Sequence, residues 1–479
     1  MRVRGPRVRS WLAGLGLLFA APLAAQTLGL GDVLQSSRRH APQVLEALAR
    51  VDVAAGRRLE AEGAFDTQLA AEGSARPAGY YDGREVGLLV TRPLASRGGQ
   101  VYGGYRVSGG SFPIYENELY TNRAGELKVG AVIALLRDRA IDERRFGLFR
   151  ADTDMAIAET EALLVAIGVQ RRAVEAYLAW VAAGQRLAVY RQLLALAEER
   201  QAGFRRQVRS GARPPILLTE NEQIILRRQS LVVDSERILE ASAVRLSLFW
   251  RGEDGRPRMP AAALLPAQLP QPLPLSPDGR ARIQARPDLK LIDLRIAQAS
   301  ERLRLDDNAM RPRLDVLAEA SQDLGQPGEG GPTFSGTVAK LGFVFSVPFE
   351  QRAARGRIAA TRADIRAFEL RRRQLEEDIG AALDALDIDV RTSRRLLDLA
   401  AQERARALEL ARAEQRRFEL GASDLFLTTV REETAADAEV RAIDAALRQA
   451  VAHADVAAAT ADVSVLGLDP GEPAPRRQP

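Results

Sequence analysis

The sequence predicts a mainly α-helical protein with a small membrane β-barrel part, organised as a duplicated helix-strand-strand-long helix-helix unit. Two helical patterns, at about 141–210 and 350–420, exceed what a compact globular domain needs, because a helix rises about 1.5 Å per residue. Each long pattern follows a pair of strand-like segments and ends in the same short turn. Because the whole unit occurs twice, the internal repeat decides the fold prediction.

The two turns align at a constant offset of 210 residues. Gly211 and Ala212 of the first turn fall on Gly421 and Ala422 of the second. A glycine at this place suits the left-handed residue that closes a helix, and Asp424 suits the N-cap of the helix that returns. The sequence therefore predicts two long antiparallel helical hairpins with tips at Gly211 and Gly421.

Composition excludes several classes of function. The chain has no cysteine, so it holds no disulfide, thiolate metal site or catalytic cysteine. The two histidines, His40 and His453, each stand alone in a helical pattern, which favours helix surface or packing over a metal or catalytic role. G-x-S-x-G and H-E-x-x-H motifs are absent, so we expect no enzyme and no cofactor. The net charge of +5 includes four arginines of the N-terminal leader, and aromatic residues make up only 5%, which argues against nucleic acid as a partner.

Residues 1–25 have the pattern of a secretory signal peptide. A basic start precedes an apolar run at 11–20, and the small residues Ala24 and Ala25 end the segment, although Leu23 departs from the usual cleavage pattern. A membrane anchor is the alternative, but the apolar run is short. No cysteine follows, so N-terminal lipidation is excluded. Beyond the leader no stretch approaches the roughly 18–20 apolar residues of a membrane helix.

The first repeat is predicted at 26–250 and begins with a helical pattern from 28 to about 62. Its remaining parts are strands at about 65–74 and 127–136, an inserted hairpin at about 80–120, and a helical hairpin at 141–250. The insertion is rich in Gly, Tyr and polar residues. We expect it to lie outside the main scaffold as an extracellular loop or extra hairpin, so that deleting 82–117 leaves assembly intact. The alternative is that it adds strands to the barrel.

A proline-rich linker at 251–277 separates the repeats. The second repeat, 278–467, starts with a helix at about 279–309. Its further parts are strands at about 313–321 and 337–347 and a helical hairpin at 350–461. The tail at 468–479 has the composition of a disordered end.

The predicted strands alternate apolar and polar side chains. This pattern fits a strand with lipid on one side and water on the other, and a half-buried soluble sheet is the alternative. The leader and the lack of membrane helices favour the membrane barrel. The residues predicted to face lipid are Leu127, Val129, Ile133, Leu341, Phe343 and Phe345.

The second long helix carries a coiled-coil pattern. Its predicted seam consists of Leu386, Val390, Leu397, Ala401 and Leu408. Alanines at Ala381, Ala382 and Ala385 broaden the apolar face, as a helix with a neighbour on each side requires. A solvated antiparallel coiled coil with a single partner is the alternative.

This order of elements, duplicated behind a signal leader, resembles the TolC family of outer-membrane factors from about 28 to 467. Its most specific parts are the two tips and the segments at 135–138 (LLRD) and 347–350 (VPFE) after the strand pairs. The resemblance implies a homotrimer whose four strands per chain form a twelve-strand β-barrel in the bacterial outer membrane, continued by a long periplasmic α-helical coiled-coil tunnel. Four strands alone would leave unpaired backbone groups in lipid.

The resemblance further implies a passive exit duct of a tripartite efflux pump or type I secretion system. Its partners would be a periplasmic adaptor, an inner-membrane pump or ABC transporter, and outer-membrane lipid. Adaptor docking would use the small residues of the periplasmic tips, Gly211, Ala212, Gly421, Ala422 and Ser423. The candidate gate residues nearby are Arg209, Arg213, Phe418 and Asp424.

The sequence departs from the best-known family member near the second tip. That member has a tyrosine and an arginine where Phe418 and Ser423 stand, and aspartates where Leu427 and Val430 stand. Its gate bonds and cation-binding ring are therefore not carried over. A periplasmic adaptor or a coiled-coil scaffold without a channel is the alternative function. An adaptor, however, should have one hairpin inside a split lipoyl-like domain, and this chain has two hairpins with strands outside them.

Overall fold

The structure, a computed structural model, describes residues 27–276, 283–328 and 336–468. The predicted leader, the last residue of the linker and the tail from 469 onward lie outside these ranges. Seven α-helices and six β-strands follow one another: α1 (Leu30–His40), α2 (Pro42–Glu62), β1 (Gln68–Ala75), β2 (Arg84–Pro93), β3 (Gly99–Gly109), β4 (Glu126–Ala134), α3 (Glu143–Arg209), α4 (Ile216–Ser247), α5 (Pro287–Asn308), β5 (Arg313–Asp323), β6 (Thr337–Ser346), α6 (Arg352–Glu419) and α7 (Leu425–Ala459). The prediction of a mainly α protein with a small β part is confirmed.

The long helices α3 and α6 run through the whole helical part. They contain 67 and 68 residues, so each is on the order of 100 Å long. Asp142 starts α3, where its carboxylate accepts a hydrogen bond from the Arg145 backbone N–H at 2.9 Å. No helix in the described part of the chain is both long and apolar enough to cross a membrane.

The helices form one layer with two open edges. Towards the tips the packing order is α4, α3, α7, α6, and towards the sheet it is α2, α3, α5, α6. The edge formed by α2 and α4 belongs to the first repeat, and the edge formed by α6 belongs to the second. The long helices therefore hold the two repeats side by side.

The largest buried cluster lies where α1, α3, α4 and α7 meet the proline-rich linker. Tyr177 and Trp180 of α3 are at its centre, and the linker leucines pack against it. The Tyr177 hydroxyl donates to the Leu28 carbonyl at 2.8 Å, and burial raises the pKa of this tyrosine, so it stays a neutral donor. A Cβ on Gly184 would lie 2.0 Å from the Leu265 side chain. The linker thus packs closely onto the middle of the helical layer.

The sheet has six antiparallel strands in the order β1-β2-β3-β4-β5-β6. The expectation of four strands per chain is wrong, because β2 and β3, within the predicted insertion, are full members of the sheet. The insertion is not an appendage, because within the described sheet β1 pairs with β2, and β3 pairs with β4. Deleting 82–117 would therefore remove two strands of the sheet rather than an external loop.

The coiled-coil seam of α6 has the predicted period but a different register. Leu386, Val390, Leu397 and Leu408 are half-buried, whereas Ala401 is exposed. The buried line consists of Leu383, Ser393, Ala400, Ala407 and Glu414. Ala407 packs against alanines of α7, so small side chains that permit close approach set the register. The alanines at 381, 382 and 385 are exposed in the single chain.

Candidate functional site

One face of the sheet is apolar across all six strands. The strand register aligns alternate side chains into rows, and one complete row consists of Leu69, Val90, Gly103, Val129, Ala320 and Ala339. All six residues predicted to face lipid lie on this side, and all are exposed; Leu341 and Phe343 are 82% and 75% exposed. Polar residues interrupt the face only near its ends. Large apolar side chains exposed together in this way mark a surface that contacts lipid or another protein.

The opposite face of the sheet carries most of its charged and polar side chains, and some of these are joined across strands. The Tyr102 hydroxyl on β3 donates to Glu319 on β5 at 2.6 Å, passing over Gly130 of β4, where a Cβ would lie 2.5 Å from the tyrosine ring. Arg106 donates to Glu126 on the next strand at 2.8 Å. The two-sided chemistry follows from the strict alternation of strand side chains.

Both helical tips close in the same way. Gly211 and Gly421 have φ values of +71° and +75°, the left-handed region that favours glycine. The Ala212 N–H donates to the Gln207 carbonyl and the Ala422 N–H to the Arg417 carbonyl, each at 2.8 Å. The N–H of each glycine also donates, at 3.0 Å, to the carbonyl three residues earlier. Together these bonds form the helix-closing motif in which a left-handed residue satisfies the last carbonyls. The predicted glycine C-caps are confirmed.

The second tip has additional bonds that the first lacks. Asp424 accepts from the Leu427 N–H at 2.7 Å, so its predicted N-cap role is confirmed. The Ser423 hydroxyl donates to the buried carboxylate of Glu414, which also accepts from Arg417. Ser423 and Asp424 are therefore held by local hydrogen bonds of the tip itself.

The candidate gate residues are not brought together. Phe418 packs against Phe204 of α3, with ring centroids 6.1 Å apart, so it joins the two hairpins. Arg209 and Arg213 are exposed at the first tip, and Arg209 donates to the Arg205 carbonyl of its own helix at 3.2 Å. Within the described residues, neither arginine forms an ion pair with a carboxylate of the second tip.

A buried ion cluster between the hairpins was not predicted from the sequence. Arg228 of α4 is 1% exposed and donates to Glu432 of α7 at 2.8 Å, and to the Leu193 carbonyl at 2.6 Å. Glu432, 4% exposed, also accepts from Arg200 of α3. One carboxylate thus serves two arginines, and Arg200 Nη1 and Arg228 Nε have no hydrogen-bond partner. The sequence holds no sign of this, because Arg228 follows the exposed Arg227 in an ordinary polar stretch.

No described group of three histidine or acidic side chains is placed to hold a metal ion.

No protein-family model and no curated protein matches the sequence. Solved structures do match over nearly the whole length. A membrane protein from Pseudomonas aeruginosa covers 92% of this chain and 98% of its own, with a TM-score of 0.62 and 14% identity. The CmeC outer membrane channel of Campylobacter jejuni covers 98% and 96%, with a TM-score of 0.61 and 13% identity. The MtrE outer membrane channel of Neisseria gonorrhoeae, in its open state, covers 96% and 97%, with a TM-score of 0.60 and 14% identity.

The chain has the TolC-like outer-membrane factor fold. The match spans sheet, hairpins and linker together, since it covers more than nine-tenths of each chain compared. The TolC-like resemblance found in the sequence is thereby confirmed at the level of the fold. Because the identity is only 13–14%, the similarity concerns the fold and not the individual side chains of the tips and of the sheet.

Proposed function

We propose that this chain is a passive outer-membrane channel that conducts cargo out of the cell. The observation that carries the proposal is the sheet with one apolar and one polar face, placed at the end of a helical layer about 100 Å long. A sheet of this kind fits a membrane barrel with lipid outside and water inside. The similar solved proteins CmeC and MtrE are described as outer membrane channels, which supports the same role here.

The channel is proposed to be a homotrimer, because the chain is open on both sides. In lipid, the free edges of β1 and β6 would leave backbone groups unpaired, and a neighbouring copy satisfies them. The two edges of the helical layer also expose apolar side chains that a neighbouring copy would bury. Exposed apolar side chains form a stripe on α4 and another on α6. The first consists of Leu226, Val233 and Val244, and the second of Ile388, Leu396, Leu399 and Leu410. An interface between two different edges closes into a ring when the rotation per copy is right.

The remaining proposed partners are those that the resemblance to the TolC family implies. The helical part would extend into the periplasm, where a periplasmic adaptor would dock at the tips around Gly211 and Gly421. An inner-membrane pump or ABC transporter would supply the energy, in either an efflux pump or a type I secretion system. The signal peptide would direct export, and we expect no N-terminal lipidation because no cysteine follows the leader.

Assembly provides the first test. In detergent, light scattering should give three chains per particle, and in planar bilayers the protein should form ion-conducting channels. Leu399→Asp, which places a charge in the exposed stripe of α6, should shift the particle towards monomer because a buried unpaired charge is costly. Asp398→Asn at the neighbouring exposed position serves as the matched control and should leave the trimer intact. A stable, non-conducting monomer of the natural sequence would contradict the proposal.

The tip provides a second test. Gly421→Val places a β-branched residue at a left-handed position, which costs about 1–2 kcal/mol, although no heavy atom lies within 4 Å of the added Cβ. We expect near-normal trimer in the outer membrane but little export, because adaptor docking at the tip is impaired. Gly380→Val, in mid-helix and equally free of contacts, is the control. Normal export and normal crosslinking to an adaptor by Gly421→Val would show that the glycine only ends the helix.

A further inference from the structure

The β2–β3 hairpin lies between β1 and β4 rather than at the margin of the sheet. Resting on the channel function proposed above, we propose that this hairpin is part of the barrel wall. Three copies of a six-stranded sheet then close a barrel of eighteen strands, not twelve. The result is a wider membrane pore, suited to bulkier cargo than a barrel with four strands per chain admits.

The length of the hairpin matches this role. β2 and β3 contain 10 and 11 residues, and β4 contains 9. A strand that crosses a bilayer needs about 9–11 residues. Each strand of the hairpin is therefore long enough to cross a bilayer.

The chemistry of the hairpin also matches the wall on both faces. Val86, Leu88 and Val90 of β2 lie on the apolar side and are exposed. The polar side of β3 carries the two groups that reach neighbouring strands, Tyr102 towards Glu319 and Arg106 towards Glu126. A hairpin outside the membrane would not need an apolar face whose side chains lie in the same rows as those of β4.

The hairpin is fixed at the end of the sheet nearest the helices. The Gly98 N–H donates to the Arg139 carbonyl at 3.3 Å, and the Gly98 carbonyl accepts from the Ala134 N–H at 3.1 Å. A Cβ on Gly98 would lie 1.9 Å from the Asp138 carbonyl oxygen, so the turn approaches the β4–α3 connection as closely as glycine permits. These contacts place the turn at the level where β4 leaves the sheet.

Adding two strands per chain still allows the three copies to close into one barrel. Two added strands keep β1 and β6 antiparallel, so one copy's β6 can pair with the next copy's β1 whether each copy has four strands or six. Barrel diameter grows roughly linearly with strand number, so eighteen strands give about 1.5 times the diameter of twelve. Barrels of 16–18 strands leave an aqueous channel.

The absence of cysteine allows a direct test by single-cysteine labelling of the full-length trimer in outer-membrane vesicles. Leu88→Cys, on the apolar face of β2, should resist a water-soluble maleimide, as Val129→Cys of β4 does. Thr91→Cys, on the polar face of β2, should react as Lys128→Cys of β4 does. If Leu88→Cys reacts while Val129→Cys is protected, the hairpin is not wall and the inference fails, although the channel proposal stands. If Val129→Cys itself reacts, the membrane barrel and the inference both fail.

Barrel width gives a second, independent measurement. End-on electron microscopy of the trimer in lipid nanodiscs should show a barrel about 1.5 times as wide as that of a variant lacking residues 79–122. In that variant β1 and β4 remain antiparallel, so they can pair directly. Equal widths would overturn the inference. If the variant does not assemble, the labelling pattern of Leu88→Cys and Thr91→Cys in the full chain still decides.

Discussion

Glu432→Ala is expected to destabilise the helical layer by about 3–5 kcal/mol, the usual cost of leaving a buried charge without its partner. Among the described residues, the change removes the one carboxylate with which Arg228 forms an ion pair, and Arg228 is 1% exposed. It also removes the ion-pair partner of Arg200, which lies at the same junction of α3, α4 and α7. The midpoint of urea unfolding, followed by far-ultraviolet circular dichroism at fixed protein concentration, measures the effect.

The chain contains a matched control in the two residues adjacent to the buried pair. Arg227 and Glu433 are 3.6 Å apart, and the Arg227 side chain is 71% exposed. An exposed pair of this kind contributes at most about 1 kcal/mol, so Glu433→Ala should shift the midpoint little. Similar shifts for Glu432→Ala and Glu433→Ala would mean that water reaches the cluster and that it does not hold the hairpins together.

The features that the sequence predicted are those set by local chemistry. The left-handed conformation of Gly421 and the N-cap role of Asp424 depend on a few neighbouring residues, and both are found. The alternation in the strands likewise reveals which side chains share a face. These features suffice for the repeat, the tips and the two-sided sheet.

The features that the sequence did not predict depend on distant partners. Segments within β2 and β3 alternate as strands do, but nothing in their residues states that β3 pairs with β4. The seam of α6 has the correct heptad period, yet its register depends on how closely the alanines of α7 approach Ala407. Arg227 and Arg228 are adjacent arginines in the same helix, and only the tertiary packing makes one exposed and the other buried.

Gly98→Ala is expected to have the second large effect, because it forces a backbone to move where the backbone is fixed. The added methyl group would lie 1.9 Å from the Asp138 carbonyl oxygen. That oxygen accepts a hydrogen bond from Arg145 at 2.6 Å, and the Asp138 side chain is bonded to Asn308 at 2.9 Å. Asp138 itself has a φ of +66°, a conformation that its surroundings must impose.

Neither the Gly98 turn nor the Asp138 connection can move without losing these contacts. Gly98→Ala should therefore lower the free energy of unfolding by an amount in the upper part of the range for overpacking, about 3 kcal/mol or more. We expect loss of heat-resistant trimer on gels and reduced protein in the outer membrane. Gly87→Ala, in β2 of the same hairpin, is the matched control, since its Cβ would meet the Tyr105 carbonyl oxygen at an ordinary 3.9 Å. If Gly98→Ala assembled as well as Gly87→Ala, the turn would not be held against the Asp138 connection. The β2–β3 hairpin would then have lost the anchor that fixes it at the end of the sheet.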